Sequence, residues 1–147
     1  MKEDPVISAL REQVECYRRL AKLAEVQHAH VAQGEVEALL EVLGRRAGVL
    51  EEIARLEGLI GPVKKQWGVY LARLDVRAKG TAEELLGETR ALLERITASD
   101  RNDALVLQQQ KINVGRQIGQ HAAAKQVNRR YAASAHVGKA ASFDVQQ

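Results

Sequence analysis

The chain is poor in the residues that staple, kink or stack. It has one cysteine, Cys16, two prolines, Pro5 and Pro62, one tryptophan and one phenylalanine. A single cysteine excludes an internal disulfide and any cysteine-rich zinc site. With 3% aromatic residues and an apolar set of mostly Leu, Val, Ile and Ala, a β-sandwich is a poor match, because its strands favour aromatic and β-branched residues. No run is long and apolar enough to span a bilayer. The opening Met1-Lys2-Glu3-Asp4-Pro5 lacks the apolar core of a signal peptide. The expected setting is cytoplasmic, which also suits a lone thiol. A strong net charge is missing as well, and +3 does not argue for nucleic acid. Acid is missing locally: from Ala104 to Phe143 there is no Asp or Glu, while Lys111, Arg116, Lys125, Arg129, Arg130 and Lys139 fall there. Such a stretch is either a solvated basic tail or a surface for an acidic partner.

What the chain does have is helical periodicity. Ile7, Leu10, Val14, Tyr17, Ala21, Ala24, His28 and Val31 recur by threes and fours. A second run repeats the pattern with Val36, Leu40, Leu43, Ala47, Leu50 and Ala54, widened by Leu39, Ile53 and Leu56. Two stripes of this kind bury each other if the helices lie antiparallel. Asp4-Pro5 is a start signal, and Gln33-Gly34-Glu35 is the expected bend. Glu15 and Arg19 are spaced as an i,i+4 ion pair. Gly61-Pro62 reads as a stop. Trp67, Tyr70, Leu71 and Leu74 share a face, either beyond a kink in the second helix or on a short separate one, and the aromatics are expected in the core. Arg77 to Gly80 reads as a loop, and Thr81 with Glu84 as a capping box. The next helix carries Leu85, Thr89, Leu92 and Ile96 and is expected to continue through the polar patch at 97–103.

The segment from Ala104 to Arg130 has helical composition but a poor stripe. Gly115 and Gly119 together weaken it by about 2 kcal/mol. It is expected to be marginally helical unless a partner binds. The predicted fold class is all-α: an antiparallel helical hairpin plus a long third helix, an elongated three-helix, coiled-coil-like bundle with a flexible C-terminal tail. Helices are expected over about 5–33, 35–60, 63–76 and 81–130, with 1–132 as a single domain and 133–147 as a disordered tail.

No catalytic constellation is visible, and no cofactor is implied. His28 and His30 point to different helix faces, His28 being placed on the core seam, and His121 and His136 have no carboxylate nearby in sequence. Cys16 has no activating neighbour. No glycine loop follows a strand. A ferritin-type metal site would need inward Glu-x-x-His pairs, and none is read. The chain is not expected to be an enzyme.

One family resemblance emerges from these residues. The bend Gln33-Gly34-Glu35-Val36-Glu37-Ala38-Leu39-Leu40 follows a helix with Tyr17, Leu20, Leu23 and Ala24. Ala91-Leu92-Leu93, a polar turn with Asn102, Asn128-Arg129-Arg130-Tyr131 and a small-residue ending on Ser142-Phe143-Asp144 complete the pattern. This resembles the FlgN-like flagellar export chaperones over nearly the whole chain. The resemblance implies a cytoplasmic chaperone that binds C-terminal helical segments of hook-associated proteins and delivers them to the export gate. It implies that the second half of the long last helix takes up the client and that Tyr131 is a late docking tyrosine. From the residues, Leu105, Leu107, Ile112, Val114 and Ile118 are apolar groups onto which an amphipathic helix could fold, and with Val127 and the Tyr131 that the resemblance implies they are the expected partner-binding positions. The alternative is a structural or self-associating coiled-coil adaptor, such as a homodimer, with no flagellar client. Nucleic-acid binding through the basic end is a further, weaker reading, marked by steep salt dependence.

Overall fold

The computed structural model describes residues 3–132 and, past residue 120, the side chains of Ala122, Ala123, Lys125 and Gln126. It is all-α: α1 (Pro5–Gln33), α2 (Val36–Lys64), α3 (Trp67–Ala72) and α4 (Val76–Ala132), with no strand among the described residues. The expected tail at 133–147 lies outside the described residues. Contacts divide the chain into two compact units, Met1–Asp103 and Ala104–Gln147.

In the first unit, α1 begins where Asp4 accepts hydrogen bonds from the N–H groups of Val6 at 2.8 Å and Ile7 at 3.4 Å. These satisfy donors that a helix start leaves without partners. α1 ends in a left-handed Gly34, φ 69°. The Gly34 N–H donates to the Val31 carbonyl at 3.2 Å and the Glu35 N–H to that of His30 at 3.0 Å, a Schellman closure. A side chain at Gly34 would make that φ unfavourable, which is why the bend falls there.

α1 lies between α2 and the first part of α4. Gln13 reaches Glu57 and Gln27 reaches Arg46, so α2 runs antiparallel to α1. Arg18 reaches Glu88 and Gln27 reaches Asp103, so α4 over 76–103 runs in the direction of α1. Two neighbours bury α1 over a wide arc: Ile7, Leu10, Val14, Leu20, Ala21, Ala24 and Val31 on the expected stripe or beside it, and also Ala9, Gln13, Cys16 and Gln27. His28, expected on the seam, is exposed instead, and Gln27 takes the buried position. Glu15 pairs with Arg18 rather than Arg19, which donates to the Cys16 sulfur at 3.2 Å.

α2 corrects the expected register. The core takes Val42, Ile53, Leu56 and Ile60, with Val49 packed at its edge. The expected stripe of Val36, Leu40, Leu43, Ala47, Leu50 and Ala54 is exposed. Each of these follows an inner neighbour by one residue from Leu39/Leu40 onward, a step of about 100° around the helix.

Pro62 does not stop α2, which continues to Lys64 with the proline inside its last turns. Close to a helix end the missing N–H weakens the ladder without breaking it upstream. The break comes at Gln66, φ −126° and ψ 46°, and α3 follows as a separate short helix. Trp67 and Leu71 lie against the core. Trp67 and Tyr70 meet at a ring-centroid distance of 5.4 Å. The Tyr70 hydroxyl donates to Asp4 Oδ1 at 2.8 Å, tying α3 to the cap of α1. Burial, the hydrogen bond to Asp4 and the Asp4 charge, in that order, push the phenol pKa well above its usual 10.

α4 starts at Val76, not Thr81, because Asp75 supplies the cap. Its carboxylate accepts from the Ala78 N–H at 2.8 Å. Thr81 is already inside the helix, donating to the Arg77 carbonyl at 3.1 Å. Ala82, Leu85, Thr89 and Ile96 are buried, and α4 is continuous through 97–103 as expected.

Candidate functional site

A buried polar layer closes the first unit just before residue 104. Arg46, on the inner face of α2, donates through both terminal nitrogens to the two Asp100 oxygens, each at 2.7 Å. The same guanidinium donates to Gln27 Oε1 at 2.6 Å. Gln27 in turn donates to Asp103 Oδ2 at 3.1 Å, and His28 Nδ1 meets Asp103 Oδ1 at 2.7 Å. Asp103 is 1% exposed. Its paired bonds account for a burial that an isolated carboxylate would not tolerate. The hydrogen bond to Asp100 raises the pKa of Arg46 against the opposing effect of burial. One polar layer in an apolar interface sets register, since any other alignment of α1, α2 and α4 would strand these groups. None of these roles was anticipated from the sequence. The signal that could have shown the layer is Arg46 at heptad spacing between Val42 and Val49.

In the second unit α4 remains helical from Ala104 to Ala132, where only marginal helicity was expected. Leu105 is 66% exposed, Leu107 40%, Ile112 42% and Val114 45%. Ile118 is half-buried. Helical spacing puts Leu105 and Ile112, seven apart, on one side. Leu107, Val114 and Ile118 fall on the opposite side, so the expected residues form two short stripes rather than one. Val127 and Tyr131 lie on α4, and their side chains are outside the described residues. Lys111, Arg116 and Lys125 are exposed, Arg116 on the side of Leu105 and Ile112 and the two lysines on the other. Gln109 donates to Asn113 Oδ1 at 3.3 Å along the same helix. This arrangement offers apolar contact on two sides and positive charge around it. It contains no acid that would repel an anionic helix.

Contrary to expectation, Glu25-Val26-Gln27-His28 has the Glu-x-x-His spacing. Its side chains are engaged elsewhere: Glu25 lies 3.5 Å from Arg95, and His28 is bonded to Asp103. Among the described residues no three His, Cys, Asp or Glu side chains come together as a metal site, and no helix is long and apolar enough to cross a membrane.

Comparison with protein-family models, curated proteins and solved structures returned no match.

Proposed function

We propose that the chain is a FlgN-like export chaperone of the flagellar secretion pathway, acting in the cytoplasm. In this reading α1, α2 and the first part of α4 form an antiparallel hairpin with a long third helix as scaffold. The remainder of α4 captures helical terminal segments of hook-associated proteins and carries them to the export gate. The observation that carries the reading is the exposure of Leu105, Leu107, Ile112 and Val114 on an acid-free helical segment. Exposed apolar residues at helical spacing are what an amphipathic partner helix folds onto. Fully burying one such side chain is worth about 1.5–3 kcal/mol, and these are already about half covered, so capture draws on all four residues together with further contacts along the partner helix.

The test is co-purification of hook-associated proteins with the full chain and with Leu105→Asp/Ile112→Asp and Leu107→Asp/Val114→Asp. At least one pair of substitutions is expected to weaken capture 10-fold or more while helicity by circular dichroism stays unchanged. Equal capture by all three removes the reading. The self-associating adaptor is the alternative reading. It predicts a mass by light scattering that rises with concentration, and no client.

A further inference from the structure

The outer face of α2 is a complete heptad seam that no other described residue covers. Val36, Leu40, Leu43, Ala47, Leu50 and Ala54 alternate by four and three over about 28 Å. Val36 is 64% exposed, Leu40 62%, Leu43 43% and Leu50 48%. The uncovered apolar surface is on the order of 400 Å², the size of patch that on a monomer is often functional. A seam of this period fits another helix and little else.

Charge identifies which helix. Val36, Leu43 and Leu50 are followed by Glu37, Gly44 and Glu51, which form the solvent edge of the seam; its other edge is the α2 core. Nearby Glu41 is neutralised by Arg45 and Glu52 by Arg55. Glu37 and Glu51 have no cation within ion-pair distance among the described residues. They stand two heptads apart at the same heptad position. A second copy of α2 is a poor occupant. The antiparallel register that pairs Leu40 with Leu50 of the second copy sets Glu37 near its Glu51, like against like. Gly44, Gly48 and Gly58 are exposed, with open space where a Cβ would sit. Of these, Gly44 and Gly58 share the heptad position of Glu37 and Glu51 and leave room for a neighbouring backbone beside the seam.

We infer that the outer face of α2 docks a basic amphipathic helix of another protein, with a Leu, Ile or Val seam against Val36 to Ala54 and Lys or Arg opposite Glu37 and Glu51. This surface is separate from the client segment proposed for α4, and its partner has the opposite charge preference.

The test uses the full chain and a synthetic helix of about four heptads, with Leu at the seam positions and Lys at both flanks, against a twin carrying Glu for Lys. Affinity is read by fluorescence anisotropy. The Lys helix is expected to bind at least 10-fold more tightly than its twin. Leu40→Asp should weaken it 10-fold or more, and Glu37→Lys/Glu51→Lys should invert the preference. Both variants are checked for unchanged melting. Leu105→Asp/Ile112→Asp should leave this binding intact, which separates it from the chaperone reading. Equal affinity for both helices overturns the inference, as does indifference to Leu40→Asp. Loss of binding in Leu105→Asp/Ile112→Asp also overturns it. So does self-association of the chain that Leu40→Asp abolishes, since the occupant would then be a second copy.

Discussion

Tyr70 is the residue on which the start of the bundle turns. Its hydroxyl and two backbone amides share the Asp4 carboxylate, so one acid caps α1 and anchors α3. Because the folded phenol holds its proton more tightly than the unfolded one, its contribution is fully present below pH 10 and is lost as pH rises above that. Tyr70→Phe should destabilise by about 1 kcal/mol at pH 8. The gap to wild type should narrow as pH rises above 10 in urea titrations. A gap independent of pH would mean the phenol is not held by Asp4. Thr89 makes the opposite case. It is 4% exposed and its hydroxyl has no partner among the described residues. Thr89→Val keeps the shape and removes a stranded polar atom, and should raise stability by about 1 kcal/mol in the same titration. A loss of stability would show that the hydroxyl is satisfied.

At the scale of elements, α2 shows how far the sequence could be read. α1 was legible because its start and end carry chemistry with one reading: a capping Asp before Pro5, and Gly34 where the backbone turns left-handed. The α2 register was not, because two heptad seams lie side by side. Leu39, Val42, Val49, Ile53 and Leu56 interleave with Leu40, Leu43, Ala47, Leu50 and Ala54. Periodicity alone does not say which meets α1. The start of α4 was misplaced for a related reason. Thr81 with Glu84 is a sound capping box, but Asp75 lies one and a half turns earlier and caps first. Of the expected partner-binding residues, Leu105, Leu107, Ile112 and Val114 are exposed; their split into two opposed stripes follows from spacing that no single face could satisfy. The glycines of α2 give a prediction at this scale. Gly44→Ala and Gly48→Ala fill open space on an exposed helix, so each should stabilise by about 1 kcal/mol. Thermal melting checks this, and a lower melting temperature would show that something already approaches there.

Taken as a whole, the molecule combines a first unit built around a buried core with a second whose described side chains are mostly exposed. The first has an apolar core on both sides of α1 and a polar layer of Arg46, Gln27, Asp100 and Asp103 that fixes its register. Directly after Asp103 the burial ends, and α4 carries Leu105, Leu107, Ile112 and Val114 uncovered. A helix without such burial draws little stability from packing, so its amides should open often when it is alone. The most direct measurement is hydrogen exchange of the amides from Leu105 to Ile118 in the full chain, free and with a hook-associated protein added. The account predicts rapid exchange in the free chain, slowed at least 10-fold by the client, with the amides of α1 unchanged. Amides at 105–118 that are already as protected as those of α1, or that are indifferent to the client, would contradict it.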